Sequence, residues 1–428
     1  MEPREQLLAD LYLPRLPGLD LSGGLVSPAY QGQSILNVPA SVSHLLGAGE
    51  FGAPALRSEI LNTLGSGYHN VILVLVDGLG YLRLQRWLEL EAFRVWGQLA
   101  ERGSLAPLTS ISPSTTSAAL TSLWTGQPAA AHGIAGYELW LKEYGVVANM
   151  ITHKPFSFEE QTGSLMHAGF APHDFVGLPT LGEHLASGGV ASHAFQHRAI
   201  LNSGLSDIFF SEVQRHGFAN EIELWGGVRQ LLETKTNEKK YVWVYWDKVD
   251  ALSHMDGPDA PTVQAAFAAF SAAFHSEFAS VLSQAVRQDS LLILMADHGQ
   301  MATPDNPHYD LRNHPNLNRR LHIKPTGENR LAFLYVRPGQ IEAVREYIER
   351  SWPRQFQLVD SHYALHEGLF GPGEAHPRMA ERIGDMVVAA RGSAYLWWGD
   401  KPNPLLGRHG GLTPEEMLVP FLAARLDA

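Results

Sequence analysis

Residues 69–80, HNVILVLVDGLG, decide the fold. The apolar run VILVLV has no polar alternation and stops at Asp77 and Gly78. A strand with one face in water alternates polar and apolar residues, whereas a strand covered on both faces does not, so this run reads as the central strand of a parallel sheet. The stretch that follows, YLRLQRWLELEAFRVWGQLAERG (81–103), has helical spacing and ends at a glycine, which completes a β–α unit. The same order returns twice. KYVWVYWDKVD (240–250) and DSLLILMADHGQM (289–301) are apolar or aromatic runs that lead into acidic residues, and APTVQAAFAAFSAAFHSEFASVLSQAVRQ (260–288) between them sets Ala and Phe at helical intervals. Strands alternating with helices predict an α/β fold, a mostly parallel central sheet with helices on both faces. In such sheets ligands bind beyond the carboxyl ends of the strands, where Asp77, Asp250, Asp297 and His298 fall.

Residues 1–65, rich in Pro, Gly and Ser with a short helix in ASVSHLLGAG (40–49), read as an N-terminal extension packed on the core. Residues 66–302 and 401–428 form the expected catalytic α/β core, with a further helix in PTLGEHLASGG (179–189). Residues 303–400 read as an inserted α+β cap. In it RLAFLYVRPGQIEAVREYIERSW (330–352) reads as strand, turn and helix, and HPRMAERIGDMVVAARGSAYLWW (376–398) as helix then strand. The polar segment 306–330 has the character of a linker or substrate loop.

Composition narrows the function. With 428 residues, 45% hydrophobic and 18% charged, the chain has ample material for a large core. Its formal charge of −12 argues against a broad nucleic-acid surface, which needs clustered Lys and Arg. A small anionic substrate stays open if metal ions supply the positive charge. The absence of cysteine excludes disulfides, thiolate metal sites and cysteine nucleophiles. The opening MEPREQLLADLYLPRLPGLDL (1–21) lacks the basic and apolar regions of a secretory signal, and no apolar run reaches the ~18 residues of a membrane span, so a cytoplasmic protein is expected.

Several short motifs carry chemistry. In DALSHMDGPD (250–259), Asp250 and His254 are four residues apart and on a helical turn leave the same face. ADHGQM (296–301) sets a carboxylate and an imidazole directly after an apolar strand, where buried charge is costly unless paired or coordinated. Asp77 in LVDGLG (75–80) and His409 in GRHGGLTPEE (407–416) each have an ordinary explanation too, a helix cap and a surface histidine. His69, His132, His197, His308 and His376 have no carboxylate at a strand end and are read as ordinary core or surface residues. ISPSTTSAALTSLWTG (111–126) places Thr115 and Thr116 where a helix begins, either to cap it or to meet a phosphate at its free N–H groups. Three Asp and three His together suit two borderline divalent ions, zinc first, with manganese or iron also fitting. Two such ions ~3.5–4 Å apart clamp a phosphoryl group in transfer.

The ordered set VILVLVDGLG, SPSTTSAALTSLWTG with AAHGI, DKVDALSHMDGP, MADHGQM and RHGG resembles the alkaline phosphatase superfamily, most closely its type I phosphodiesterase and nucleotide pyrophosphatase branch. The resemblance spans residues 71–411 and implies a two-metal site. One ion would take Asp250, His254 and His409; the other Asp77, Asp297, His298 and the nucleophile. The branch pattern sets a threonine ten residues before the Gly of its Thr-Gly pair and three after a proline, which selects Thr116 from Gly126 and Pro113, with Thr115 as runner-up. One departure stands out. The branch has Pro-Asn in this stretch, its Asn helping to bind a nonbridging oxygen, where this chain has Ser117, Ala118 and Ala119.

The expected activity is therefore metal-dependent hydrolysis of a small phosphate ester through a phosphothreonine intermediate, by a phosphodiesterase or nucleotide pyrophosphatase. The alternatives are a phosphomonoesterase or phosphosugar mutase of the same superfamily and, more distantly, a non-catalytic metal-binding protein. The lack of a Cys or Ser in its required sequence context argues against a sulfatase. Arg198, Arg312 and Lys324 are candidates to offset the extra charge of a monoester.

Overall fold

The apolar run that opens the sequence argument is buried along its whole length as the strand Asn70–Val76. In the computed structural model, which describes residues 3–157, 161–234 and 237–427, the strands in chain order are β1 (Asn70–Val76), β2 (Ser104–Thr109), β3 (Glu138–Leu141), β4 (Val146–Asn149), β5 (Lys154–Pro155), β6 (Val190–His197), β7 (Val213–Phe218), β8 (Lys239–Trp246), β9 (Ser290–Met295), β10 (Met301–Ala302), β11 (Thr326–Glu328), β12 (Leu331–Leu334), β13 (Phe356–Asp360), β14 (Met386–Ala390), β15 (Gly407–Arg408) and β16 (Leu418–Arg425).

The central sheet has the order β2-β16-β9-β1-β8-β6-β7. β1 runs parallel to β8 and β9, and β6 parallel to β7 and β8, while β16 is antiparallel to β2 and β9. The fold is thus the expected mostly parallel α/β sheet flanked by helices. Its register aligns the functional ends: Val76 pairs with Trp246 and Leu75 with Met295, so the residues after β1, β8 and β9 emerge at one edge.

Both faces of β8 are packed by aromatic rings, and period-two alternation sorts them. Trp246 stacks on Phe270 of the helix Pro261–Phe274, ring centroids 4.4 Å apart. Trp243 meets Trp124 of the helix Thr116–Thr125, 5.3 Å away on the opposite face. Tyr245 shares the parity of Trp243, which aims it at the face where that helix begins.

A second sheet has the order β13-β14-β12-β11-β3-β4-β5. It draws β11–β14 from the segment read as a cap, but also β3–β5 from residues 138–155, which the sequence reading assigns to the core. The reason is length: strands of two to four residues give no legible period, and β11, the partner through which β3 joins the sheet, lies far along the chain. On the far side this sheet packs on the helix Ile341–Ser351 in an apolar cluster of its own, built on Val344, Ile348 and Trp352. Among the described residues no helix is long and apolar enough to cross a membrane.

Candidate active site

At the carboxyl edge of the central sheet the chain turns sharply after β1. Gly78 has φ +75°, and a Cβ there would lie 3.0 Å from Asp250 Cα, so a glycine is needed both for the turn and for the approach of the next carboxylate. Asp250 sits in the first turn of the helix Lys248–Asp256, directly after β8. Asp297 and His298 follow β9. Asp77, Asp297 and His298 are wholly buried or nearly so.

Thr116 is the first residue of the helix Thr116–Thr125. Its Oγ1 lies 3.1 Å from His298 Nε2 and 3.4 Å from Asp77 Oδ2. Thr115, at the N-cap, does not cap the helix with its side chain and donates instead to Glu328. The loop before the helix is tied to the late histidine: Ser114 pairs with Gly410, and Ser114 Oγ donates to the Gly411 carbonyl at 2.7 Å.

Ligand atoms of Asp77, Asp297 and His298 lie within 4.8 Å of one another, and so do those of Asp250, His298 and His409. His298 is common to both groups. His254 stands beside the second, its Nε2 3.4 Å from Asp250 Oδ2. All seven residues expected at the site, Thr116 and the six candidate ligands, are therefore brought together.

The hydrogen bonds suit cation binding. His254, His298 and His409 each direct Nδ1 at a backbone carbonyl, of Gly407 at 2.8 Å, Gly299 at 3.0 Å and Ser114 at 3.1 Å respectively. That fixes the tautomer and leaves Nε2 as the lone-pair donor. Asp77 Oδ1 and Asp297 Oδ2 are buried and, among the described residues, have no hydrogen-bond donor, yet lie 3.3 and 3.4 Å from His298 Nε2. Leaving carboxylate oxygens so exposed to each other's charge costs several kcal/mol without a counter-ion. Burial, then the neighbouring Asp297 and Asp250, push the Asp77 carboxyl well above its ordinary range. Burial likewise raises Asp297. Burial also acts to raise Asp250, yet His254 and His409 hold it below the usual carboxylate range. Burial and the facing His298 drive the His409 ring well below an ordinary histidine. A divalent cation relieves each of these penalties, so the residues present fit one.

Three contributors escape the sequence reading. Tyr245 donates its hydroxyl to Asp77 Oδ2. Gln300 donates to Asp250 Oδ1 at 3.0 Å. Glu328 reaches the Thr115 hydroxyl from the second sheet. Gln300 stands inside a motif already singled out, whereas Tyr245 and Glu328 give no local signal. Conversely, the three cations considered for charge offset are held by carboxylates, Arg198 by Glu223, Arg312 by Asp310 and Lys324 by Asp400.

Comparison with known proteins agrees with this geometry. The profile of the type I phosphodiesterase / nucleotide pyrophosphatase family matches residues 71–412. The chain belongs to that family. It is a phosphodiesterase/pyrophosphatase-like hydrolase, and its motifs place it in the alkaline phosphatase superfamily. Among solved structures, the murine ectonucleotide pyrophosphatase/phosphodiesterase 5, as an inactive threonine-to-alanine variant in complex with AMP, superposes with TM-score 0.60 at 17% identity, over 83% of this chain and 87% of that one. Phosphonoacetate hydrolase from Sinorhizobium meliloti, in complex with phosphonoformate, gives TM-score 0.60 at 17% identity over 83% and 89%. The human ectonucleotide pyrophosphatase/phosphodiesterase 5 gives 0.59 at 16% over 83% and 87%. No curated protein matches the chain significantly. At these identities the superpositions speak for the fold, and the family profile for the class of reaction.

Proposed function

We propose that this family member hydrolyses a small phosphodiester or nucleotide pyrophosphate with Thr116 as nucleophile, between two cation sites. The observation that carries this reading is the Thr116 hydroxyl at a helix N-terminus, 3.1 Å from the histidine shared by both ligand groups. Asp250, His254 and His409 would hold one ion, and Asp77, Asp297, His298 and Thr116 the other, zinc before manganese. Bound there, such ions supply positive charge that lowers the pKa of the threonine hydroxyl and stabilises the phosphoryl and leaving oxygens.

The chain's own residues do the rest. The first N–H groups of the helix Thr116–Thr125 have no intrahelical partner and point at the space before it, where they receive a phosphoryl oxygen. They stand in for the Asn that the Ser117, Ala118, Ala119 stretch lacks. Thr116 Oγ1 loses its proton and attacks phosphorus in line, the P–O bond to the leaving group breaks on the opposite side and that group takes up a proton, and a threonyl phosphodiester still carrying the retained substituent forms. Water then cleaves it. The AMP bound by the murine relative, and the inactivity of its threonine-to-alanine variant, support a nucleotide substrate and a threonine nucleophile.

The test is kcat/KM in one zinc-containing buffer on bis(p-nitrophenyl) phosphate, a phosphate monoester, a nucleotide pyrophosphate and a phosphosugar. The diester or pyrophosphate should be preferred by at least about tenfold. A preference for the monoester, or isomerisation of the sugar, would overturn the assignment.

A further inference from the structure

The second sheet contributes to the site through one turn. Glu328 ends β11, is almost wholly buried, and presents Oε1 to two donors, the Thr115 hydroxyl at 2.5 Å and the Tyr137 N–H at 2.8 Å. Its side chain also lies against the loop of the late histidine. Gly410 has φ +103°, and a Cβ there would come within 2.4 Å of Glu328 Cβ. The two residues that follow reach the same surroundings by separate contacts. Asn329 Oδ1 accepts from Arg408 Nε at 3.4 Å, and Arg330 makes a buried two-point pair with Glu416 at 2.7 and 2.8 Å. Glu416 in turn accepts from the Gly411 N–H at 2.9 Å, and its backbone carbonyl from the Gly299 N–H at 2.7 Å.

We propose that Glu328 is a positioning residue for the nucleophile: by holding Thr115 it sets the first turn of the helix that presents Thr116, in register with the loop bearing His409. This rests on the reading of Thr116 as nucleophile. It accounts for the pair of threonines. A helix N-cap hydroxyl ordinarily turns back onto its own helix, but the Thr115 hydroxyl is turned away to Glu328 while the Thr116 hydroxyl faces the cation ligands. The bond acts on geometry, because a displacement of the reacting oxygen by ~1 Å costs up to ~100-fold in rate. Oε1 acts only as an acceptor here, from the Thr115 hydroxyl and the Tyr137 N–H, so a glutamine offers the same acceptor oxygen; burial raises the Glu328 carboxyl to about 8.

The experiment compares the zinc-loaded enzyme with E328Q, E328A, T115V and the double variant T115V/E328A, measuring kcat, KM and Tm on a diester, with T116A alongside. E328A and T115V should each lower kcat about 10- to 100-fold with KM changed less than about twofold. The double variant should be no worse than the poorer single one, and E328Q should keep at least about half of kcat. A purely structural role would lower Tm and leave kcat of the folded enzyme unchanged. Folded E328A with kcat within about twofold of the parent overturns the proposal, as do losses that multiply in the double variant. Should E328A fail to fold, T115V decides by the same criteria. Turnover by T116A would instead overturn the nucleophile assignment on which the proposal stands.

Discussion

Thr116 Oγ1 lies 3.1 Å from Nε2 of His298, the residue common to both groups of candidate ligands. The hydroxyl is therefore next to the point where the two groups meet. Removing it should stop chemistry and leave the six Asp and His ligands in place. Thr116→Ala is expected to lower kcat by roughly 10,000-fold or more, the scale on which enzymes lose rate with their nucleophile, while metal content stays at the parent level. Thr116→Ser, which keeps an oxygen in place, should recover a measurable part. The substrate's phosphoryl group with its retained substituent, trapped on residue 116 in an acid-quenched digest and analysed by mass spectrometry, would identify the intermediate directly.

Cation dependence follows from the unsatisfied carboxylate oxygens of Asp77 and Asp297. A chelator should abolish turnover, and zinc or manganese should restore it. Asp297→Asn removes charge where burial already disfavours it, so the variant should fold at least as well without metal and bind less of it. Elemental analysis after gel filtration checks this. A parent-like metal content in Asp297→Asn would falsify the ligand assignment.

Tyr245 bonds to one oxygen of Asp77 and leaves the other facing His298. Partners of this kind orient a ligand without touching the ion. Tyr245→Phe is therefore expected to weaken metal affinity about 10- to 100-fold, with kcat largely recovered at saturating zinc. Titration of activity against buffered free zinc separates the two effects. A kcat defect that saturating metal does not repair would mean that the tyrosine acts on the reaction itself.

How much of this was legible in the sequence depends on distance along the chain. β1 and β9 are apolar after their first residue and need no partner to be read, and the acids that follow them are local features of the same segments. The paired hydroxyls Thr115 and Thr116 mark the helix start, and the family resemblance, through Pro113 and Gly126, selects Thr116 between them. Tyr245 carries no such mark, because in sequence it is one more aromatic residue of a strand. Only the β1–β8 register, with Leu75 opposite it, brings its hydroxyl to Asp77. Glu328 lies in a polar stretch that reads as a linker, and its partner Thr115 is 213 positions away. Contacts of that span leave no periodic trace in either segment, and the same holds for β3, whose pairing with β11 joins residues 138 and 327.

His132 supplies a prediction about stability and pH. The ring is wholly buried against the helix Thr116–Thr125, its Nδ1 accepting from the Ile134 N–H at 3.1 Å and its Nε2 3.1 Å from Ser122 Oγ. Burial first, then the nearby His376 and Arg382, lowers its pKa from 6.5 to about 3, so the folded protein keeps the ring neutral. The unfolded chain takes up a proton near pH 6.5 and the folded protein only near pH 3, so protons favour unfolding across that interval. The ring's contribution is complete above pH 6.5 and is lost progressively as pH falls toward 3. His132→Gln, which cannot titrate, should unfold at lower urea concentration than the parent at pH 7.5, and the gap should shrink at pH 5 as the parent alone loses this contribution. A gap that widens on acidification would mean that the buried ring carries a proton in the fold, and that His376 and Arg382 do not repel it.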